Sequence, residues 1–220
     1  MKINNYESIK VELLRATENP MEIISRALSM TMKKDVDITM SKKILKSIIK
    51  MNHTSVFEHI NYTFFINRAS RSFLAQITRH RIASYTSGSQ HYQYYGDYDA
   101  LGSSSLTLPQ RIVYNKMLDD SLDNYKKLIE FGVPKYEARQ VLPNAMENNL
   151  MVTINARSLI NFFNLRLCKR NTEEIRIIAE KMFSLVYHHF KELWENIGTD
   201  CQMNKCRQGK MRCINEKCSN

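Results

Sequence analysis

Residues 79–95 read RHRIASYTSGSQHYQYY and place three basic side chains directly before a run of hydroxyl and amide groups. Arg79 and Arg81 have the chemistry to hold an anion, because guanidinium groups donate charge-assisted hydrogen bonds to phosphate oxygens in parallel pairs. The polar run could contact the edges of a small molecule, or its aromatic rings could stack on the bases of a single strand. The segment is therefore compatible with an active site for a small anion and with a surface that binds nucleic acid.

Three further arginines lie in segments that suggest a lined pocket. Arg139 occurs in EARQVLP, whereas Arg157 and Arg166 occur in NARSLINFFNLRLC. In a helix that starts near residue 156, Arg157 and Asn161 share one face because they are four residues apart. The glycine-rich phosphate motifs GxGxxG and GxxxxGK[ST] are absent from the sequence, which contains 6 glycines. A phosphate site in this protein is therefore expected to consist of side chains.

Composition limits the class of protein. The chain has 220 residues and 43% apolar content, which is sufficient for a buried core in one domain. Lys and Arg outnumber Asp and Glu by 32 to 22, and the net charge of +10 favours anionic partners such as nucleotides or phosphorylated cofactors. No apolar run reaches the roughly 18 residues of a membrane span, and the first ten residues lack the apolar stretch of a signal peptide. We expect a cytoplasmic protein that binds no membrane.

The elements that must position these side chains follow from the spacing of apolar residues. Alternation predicts a strand over 56–66, and helical spacing predicts a helix over 67–81 that ends at the arginine pair. Residues 84–107 are rich in glycine, serine and tyrosine, and are expected to form a functional loop. The remaining predicted elements are a helix after Pro109, a strand over 150–154, and helices over 156–168 and 172–196. The fold class is therefore α+β, a single domain in which an antiparallel or mixed sheet packs with several helices.

The end of the chain differs in composition from the rest. A main domain is expected over residues 1–198, followed by a basic, cysteine-rich tail over 199–220. The tail cysteines follow the spacing Cys-x4-Cys-x6-Cys-x4-Cys, whereas most structural zinc sites contain closer Cys-x2-Cys pairs. We expect no bound metal there.

The stretch RHRIASYTSGSQHY resembles the signature of the flavin-dependent thymidylate synthases, in which Arg-His-Arg is followed after seven residues by a serine, here Ser89. Further blocks match the same family. HTSVFEH from His53 is similar to its upstream His and Phe-Glu-His element, Gln76 to the glutamine before the motif, and Arg139 to its phosphate-binding arginine. Residues 155–166 resemble its Asn-Ala-Arg-Ser-Leu and Asn-Leu-Arg block. The resemblance extends over about residues 50–185, so residues 1–198 are interpreted as the catalytic domain.

This resemblance implies methylation of dUMP to dTMP, with methylene-tetrahydrofolate as carbon donor and FAD, reduced by NADPH, as hydride source. It also implies a homotetramer whose active sites are shared between subunits. The implied cofactor-binding residues are Ser55, Arg79, His80, Arg81, Ser87, Asn155, Arg157 and Asn161. The implied substrate-binding residues are Gln76, Arg79, Ser87, Gly88, Ser89, Gln90, His91, Arg139 and Arg166. The implied catalytic residues are Arg166, Ser89 and His53.

Two positions depart from the family pattern. Ser87 stands where the family usually has Glu or Gln, and His91 stands where an arginine is usual. The alternative is therefore a related C5 one-carbon transfer on another pyrimidine monophosphate, UMP or a cytosine nucleotide, or a one-carbon product other than methyl. A catalytically silent member of the family is a further alternative.

Single-stranded nucleic acid is the competing partner from another class. It accounts for the charge, but it leaves the family spacing of Gln76, Arg139 and Arg166 unexplained, and no RNA-module signature occurs in the sequence. We therefore expect no nucleic-acid partner. Colour separates the two interpretations, because a protein that retains FAD is yellow on purification.

Overall fold

The fold is described by a computed structural model that covers residues 2–203, 206 and 208–211. Its strands are β1 Ile3–Asn5, β2 Lys10–Ala16, β3 Asn61–Ser70, β4 Ala83–Ser87, β5 Ala100–Gly102 and β6 Glu147–Asn155. Its helices are α1 Pro20–Met32, α2 Ile38–Lys50, α3 Arg71–Ile77, α4 Leu108–Glu130, α5 Lys135–Ala138, α6 Ala156–Arg166, α7 Glu173–His189 and α8 Lys191–Trp194. One sheet has the order β2-β3-β6-β4, and β1 pairs in parallel with β5. The α+β class predicted from the sequence is confirmed.

Strand β3 shows both where alternation predicts structure and where it fails. Tyr62, Phe64 and Ile66 are each fully buried, as the alternating pattern requires. Val56 and Phe57 are both buried as well, although they are consecutive. Successive strand residues point to opposite faces, and these two residues instead belong to a 3-10 helix over Thr54–His59. The strand prediction for residues 56–60 was wrong, and the strand extends to Ser70.

Other predictions of local structure also need correction. The helix predicted over 67–81 spans Arg71–Ile77, because residues up to Ser70 continue β3, and it ends before Arg79 and Arg81. The segment 84–107 is not a continuous loop, because it contains most of β4 and all of β5. The predicted helix over 172–196 is interrupted at Phe190, whose φ of −145° and ψ of 71° leave the helical region. Phe190 is buried, so core packing holds this residue in the non-helical conformation against the helical pattern around it.

The backbone divides into two compact units. The first comprises Met1–Lys10, Ile66–Arg79 and Tyr85–Met151, and the second comprises Val11–Phe65, His80–Ser84 and Val152–Asn220, as far as these segments are described. Each unit is therefore assembled from three separate stretches of the chain. The predicted boundary near residue 198 stays a prediction, as does the absence of metal from the tail, since Cys213 and Cys218 lie outside the described residues.

Helix α4 supplies much of the core of the first unit. It begins with a capping box, in which the Thr107 and Gln110 side chains exchange hydrogen bonds with backbone N–H groups. Leu122 and Tyr125 on its inner face pack with Tyr95, Ala138 and Met146. This cluster anchors α4, α5 and the start of β6 around the loop that follows β4.

The second unit is built around Trp194. The indole Nε1–H donates to the Tyr62 hydroxyl over 3.1 Å, which satisfies both polar groups in the core. Phe163 of α6 packs edge-on against the indole ring, with ring centroids 5.4 Å apart. These contacts fix the position of α6. Across residues 2–203, 206 and 208–211, none of the helices has the length and hydrophobicity needed to cross a bilayer.

Candidate functional site

The loop after β4 carries the predicted serine motif, and hydrogen bonds of its backbone N–H groups fix its conformation. The Gly88 N–H donates to the Asn149 carbonyl of β6 over 3.2 Å, so the loop continues from the sheet edge. The Ser89 Oγ accepts a hydrogen bond from the His91 N–H at 3.3 Å, a local turn that serine side chains commonly form. Ser87, Ser89 and His91 are exposed. The first unit thus presents the predicted substrate loop to solvent in an ordered conformation.

Gly88 is required at its position by the close approach of its neighbours. A Cβ built on this residue would lie 2.7 Å from Asn148 Oδ1 and 3.0 Å from the Tyr95 hydroxyl. Asn148 is 4% exposed, and its Oδ1 has no hydrogen-bond partner among the described residues. The glycine therefore lets the loop lie directly on a buried polar surface.

The short helix α5 brings a second part of the chain to this loop. The Tyr136 ring stacks on the His91 imidazole, with centroids 5.4 Å apart and an interplanar angle of 22°. The Lys135 Nζ donates to the Tyr92 carbonyl over 3.4 Å. The Arg139 Nε donates to the Tyr136 carbonyl at 3.0 Å, which orients the predicted phosphate-binding guanidinium. Within the first unit, the structure therefore groups Arg139 with the loop of Ser87, Gly88, Ser89, Gln90 and His91.

Arg71 is a residue of this group that sequence reasoning missed. Its Nη1 donates to the Gly88 carbonyl over 3.4 Å, from the first position of α3. The available signal was weak, because Arg71 follows Arg68 in a segment, NRASRSFLAQ, that leads to Gln76 and carries no motif of its own. Gln76 is half-buried on α3, whereas Arg79 is exposed two residues beyond the end of that helix.

The predicted residues of the second unit gather around the start of α6. The Ala156 N–H donates to the Ile60 carbonyl over 2.7 Å and ties α6 to the end of the 3-10 helix Thr54–His59. Arg157 forms an ion pair with Glu58 of that 3-10 helix. Asn161, one turn along α6, is exposed, as is Ser55. His53, the residue directly before the 3-10 helix, is also exposed.

Asn155 has a structural role that its sequence context also explains. It is the N-cap residue of α6, and its Oδ1 accepts a hydrogen bond from the Ser158 N–H at 2.8 Å. This bond satisfies one of the N–H groups that a helix start leaves without an intrahelical partner. The side-chain oxygen of Asn155 is thus used to cap α6, while its side-chain amide nitrogen can still donate a hydrogen bond.

Arg166 and His80 form the most specific contact in the second unit. Arg166 Nε donates to His80 Nε2 over 3.1 Å, and Arg166 Nη1 donates to Asn171 Oδ1 over 3.3 Å. An arginine cannot accept a hydrogen bond, so His80 Nε2 must carry a lone pair and the imidazole must be neutral. Burial and the Arg166 charge together lower the pKa of His80 to about 4. The imidazole therefore stays neutral near pH 7, and it orients the guanidinium without competing for a proton.

The side chains of the second unit fit an anionic cofactor such as FAD. Arg81 and Arg157 are exposed guanidinium groups that can pair with phosphate oxygens, and Asn161 adds an amide on the Arg157 side of α6. His80 differs from them, because it is buried against the Phe162 ring and faces Arg166. Its expected cofactor contact would have to use its Nδ1–H.

A large open cleft of the second unit lies elsewhere. Its volume is about 1210 Å³, and its walls include Ile49, Phe183 and Tyr187 with Lys46 and Lys50 at the rim. None of the residues predicted for cofactor or substrate lines it. No group of three or more His, Cys, Asp or Glu side chains suited to a metal ion occurs in the part of the chain that the structure describes.

Comparison with known proteins identifies the relatives of this chain. Residues 12–190 match the family described as thymidylate synthase complementing protein, Thy1. A flavin-dependent thymidylate synthase of Geobacter sulfurreducens is 36% identical over 217 residues, which cover 93% of this chain and 94% of that protein. The enzyme of the same name from Clostridium tetani is 31% identical and covers 93% of each chain.

A solved structure shows the same fold. A UMP/dUMP methylase, PolB from Streptomyces cacaoi bound with 5-Br dUMP, superposes with a TM-score of 0.79 at 21% identity. The match covers 89% of this chain and 96% of that one. The fold and the sequence matches define an α+β enzyme of nucleotide metabolism. The chain belongs to the flavin-dependent thymidylate synthase family, and it is an enzyme of dTMP synthesis.

Proposed function

We propose that this protein methylates dUMP at C5 to give dTMP, with methylene-tetrahydrofolate as the carbon donor. The methylene carbon becomes a methyl group by accepting a hydride, tetrahydrofolate leaves, and the C5 hydrogen of dUMP leaves as a proton. FAD, reduced by NADPH, supplies that hydride when it is bound. Membership of the family over residues 12–190 supports this reaction.

The observation that carries the proposal is the hydrogen bond between Arg166 and neutral His80. A guanidinium that is oriented before substrate binds stabilises negative charge without a later reorganisation cost. In this role, Arg166 stabilises the charge that develops on the pyrimidine when N3 loses its proton, and C5 becomes a better carbon nucleophile. We therefore assign Arg166 the main catalytic role, with Ser89 and His53 as its partners in the reaction.

The first unit is proposed to bind the nucleotide. Arg139 would hold the phosphate through two parallel charge-assisted hydrogen bonds. The hydroxyl and amide groups of the serine loop would contact the sugar and base edges. The proposed substrate contacts are Gln76, Arg79, Ser87, Gly88, Ser89, Gln90, His91, Arg139 and, from the second unit, Arg166.

The second unit is proposed to hold FAD. Exposed Arg81 and Arg157 suit its phosphates, and the amide nitrogen of Asn155 can donate to it although the side-chain oxygen caps α6. The further proposed cofactor contacts are Ser55, His80 and Asn161 and, from the first unit, Arg79 and Ser87. The pairing of Arg157 with Glu58 implies that cofactor phosphates must compete with a carboxylate for this guanidinium.

A homotetramer with shared active sites is part of the proposal. The outer face of α4 exposes Leu108, Ile112, Val113 and Met117, each between 56% and 72% exposed. Such a contiguous apolar surface is typical of a contact with another copy of the chain. Since active sites would then combine several subunits, the nucleotide-binding and cofactor-binding groups need not come from one chain.

A related methylation of UMP or a cytosine nucleotide is the second candidate. It is favoured by His91, which stacks on Tyr136 in the substrate loop where the family has an arginine.

Product analysis tests the proposal and its alternative together. The purified protein is incubated with either dUMP or UMP, in the presence of FAD, NADPH and methylene-tetrahydrofolate. The nucleotides are then separated and identified by mass spectrometry. We expect dTMP from dUMP, and none when NADPH or methylene-tetrahydrofolate is omitted, or when FAD is withheld from protein whose bound flavin has been removed. A methylated ribonucleotide alone would favour the second candidate. No methylated nucleotide from a folded yellow protein would contradict both activities.

A further inference from the structure

The loop at residues 87–98, SGSQHYQYYGDY, contains no lysine or arginine. Within the first unit, cations reach it instead from other elements. Arg71 Nη1 donates to the Gly88 carbonyl over 3.4 Å, and Lys135 Nζ donates to the Tyr92 carbonyl over 3.4 Å. The positive charge at this loop is therefore supplied from outside the loop sequence.

Lys135 lies next to the proposed phosphate site. It is four residues before Arg139, so the two side chains leave the same side of the helical turn. The lysine ammonium has three N–H donors, and the hydrogen bond to the Tyr92 carbonyl uses one of them. A phosphate held by Arg139 could therefore accept a hydrogen bond from the ammonium of Lys135 as well.

Tyr136 connects the two parts of this arrangement. Its backbone carbonyl accepts from Arg139 Nε, while its ring stacks on His91 of the loop. The Tyr92 ring also contacts His91, in an edge-on arrangement with a centroid distance of 4.4 Å. One residue thus orients the arginine and fixes the position of the loop relative to α5.

We propose that Lys135 is a phosphate-binding residue for the nucleotide and that Tyr136 is a positioning residue for His91 and the substrate loop. Together they supply the charge and the anchoring that an arginine at position 91 would provide. The ligand class is a nucleoside monophosphate, and the inference rests on the proposed function.

Lys135→Met tests the charge, because methionine keeps the length of the side chain and removes the ammonium. Binding of dUMP to the FAD-loaded protein is measured by calorimetry beside binding of deoxyuridine, which has no phosphate. We expect the Kd for dUMP to rise about tenfold, as for loss of one charge-assisted hydrogen bond, with the Kd for deoxyuridine unchanged. In turnover, we expect the KM for dUMP to rise and kcat to change by less than about twofold. The phosphate contact is the same in the enzyme–substrate complex and in the transition state, so its loss weakens both equally.

Lys34→Met is the matched control, because this lysine is exposed just beyond α1 and lies outside both the proposed nucleotide group and the proposed subunit contact. Equal dUMP affinity in the wild type and Lys135→Met would overturn the phosphate role. An equal loss for dUMP and deoxyuridine would also overturn it, because such a loss would reflect a disturbed loop.

Two substitutions separate the ring of Tyr136 from its hydroxyl. Tyr136→Phe keeps the stacking surface, and we expect it to bind dUMP within about twofold of the wild type. Tyr136→Leu removes the aromatic ring, and we expect a loss of about five- to tenfold in dUMP affinity. If Phe and Leu give the same affinity, Tyr136 does not position the loop.

The binding measurement keeps this inference separate from the proposed reaction. A wild-type protein that binds dUMP but makes no dTMP would contradict the reaction, and the Lys135 and Tyr136 results would still decide the inference. A wild-type protein that binds neither dUMP nor UMP would overturn both.

Discussion

Arg166 Nε donates a hydrogen bond to His80 Nε2 over 3.1 Å. This bond connects the histidine of the Arg-His-Arg motif to the last residue of α6. The bond needs a neutral imidazole with its hydrogen on Nδ1. Burial and the charge of Arg166 favour that state, because they lower the pKa of His80 to about 4. The orientation of Arg166 is therefore coupled to the protonation state of His80.

The first prediction concerns stability against pH. In the unfolded chain, His80 has a pKa near the usual 6.5, so between about pH 6.5 and pH 4 the unfolded state binds more protons than the folded state. Stability contributed by neutral His80 is present above pH 6.5 and is lost as the pH falls through this window. We expect the unfolding free energy to decrease by about 1 to 3 kcal/mol over the window, measured by urea denaturation. In His80→Gln, whose side chain does not titrate, that part of the pH dependence should be absent, and an unchanged profile would contradict the assignment.

The second prediction concerns Arg166. Arg166→Ala should retain bound flavin, since the proposed cofactor phosphates are held by other residues, but it should lose turnover by a factor of about 100 or more. Flavin absorbance and dTMP formation measure the two properties in the same sample. Arg170→Ala, an exposed arginine just beyond α6, is the control. Near-normal turnover of Arg166→Ala would remove this residue from the mechanism.

The third prediction concerns the departure at position 91. His91→Arg places a charged group in the substrate loop, and a guanidinium can still stack on Tyr136. We expect the KM for dUMP to decrease by about fivefold, because the guanidinium adds charge-assisted hydrogen bonds to the phosphate. Unchanged or weaker dUMP binding, together with tighter UMP binding, would indicate that His91 has changed the substrate preference.

The fourth prediction concerns the loop backbone. In Gly88→Ala the new Cβ would lie 2.7 Å from Asn148 Oδ1, so either the loop or β6 must shift. We expect a loss of about 1 to 3 kcal/mol in unfolding free energy, measured by thermal or urea denaturation. Adding Asn148→Ala removes the closest atom and should recover part of this loss. A double variant no more stable than Gly88→Ala would argue against the contact.

The fifth prediction concerns assembly. Ile112 is 61% exposed on α4, so Ile112→Lys should leave the isolated chain folded while it introduces a charge into the proposed subunit contact. We expect light scattering to show a tetramer for the wild type and smaller species for the variant. Asn124→Lys, exposed two turns beyond the apolar surface, is the control. A wild-type monomer would contradict the tetramer.

Much of the local structure was accessible from the sequence. The apolar alternation of Tyr62, Phe64 and Ile66 indicated the central strand, and the stripe that includes Leu118, Leu122 and Tyr125 indicated α4. These patterns are reliable because burial on one face imposes the period of the element directly. The family motifs also predicted which arginines, and which serine-containing loop, belong to the candidate site.

The contacts that orient these residues could not be predicted. The stack of His91 on Tyr136 and the bond from Arg71 to Gly88 join residues that are distant in sequence and leave no periodic signal. The extent of the substrate loop was overestimated, because β4 and β5 are strands of 5 and 3 residues, too short to show a clear apolar alternation. Asn155 was assigned to the cofactor alone, although its position before a helix also indicated a cap.

Tritium release from C5-labelled dUMP tests the central claim most directly, because methylation must remove the C5 hydrogen. The purified protein is supplied with FAD, NADPH and methylene-tetrahydrofolate, and radioactivity in water is counted. We predict release that requires NADPH and methylene-tetrahydrofolate, that requires added FAD once the bound flavin has been removed, and that is lost in Arg166→Ala. A folded, yellow wild-type protein that releases no tritium from dUMP would contradict the account.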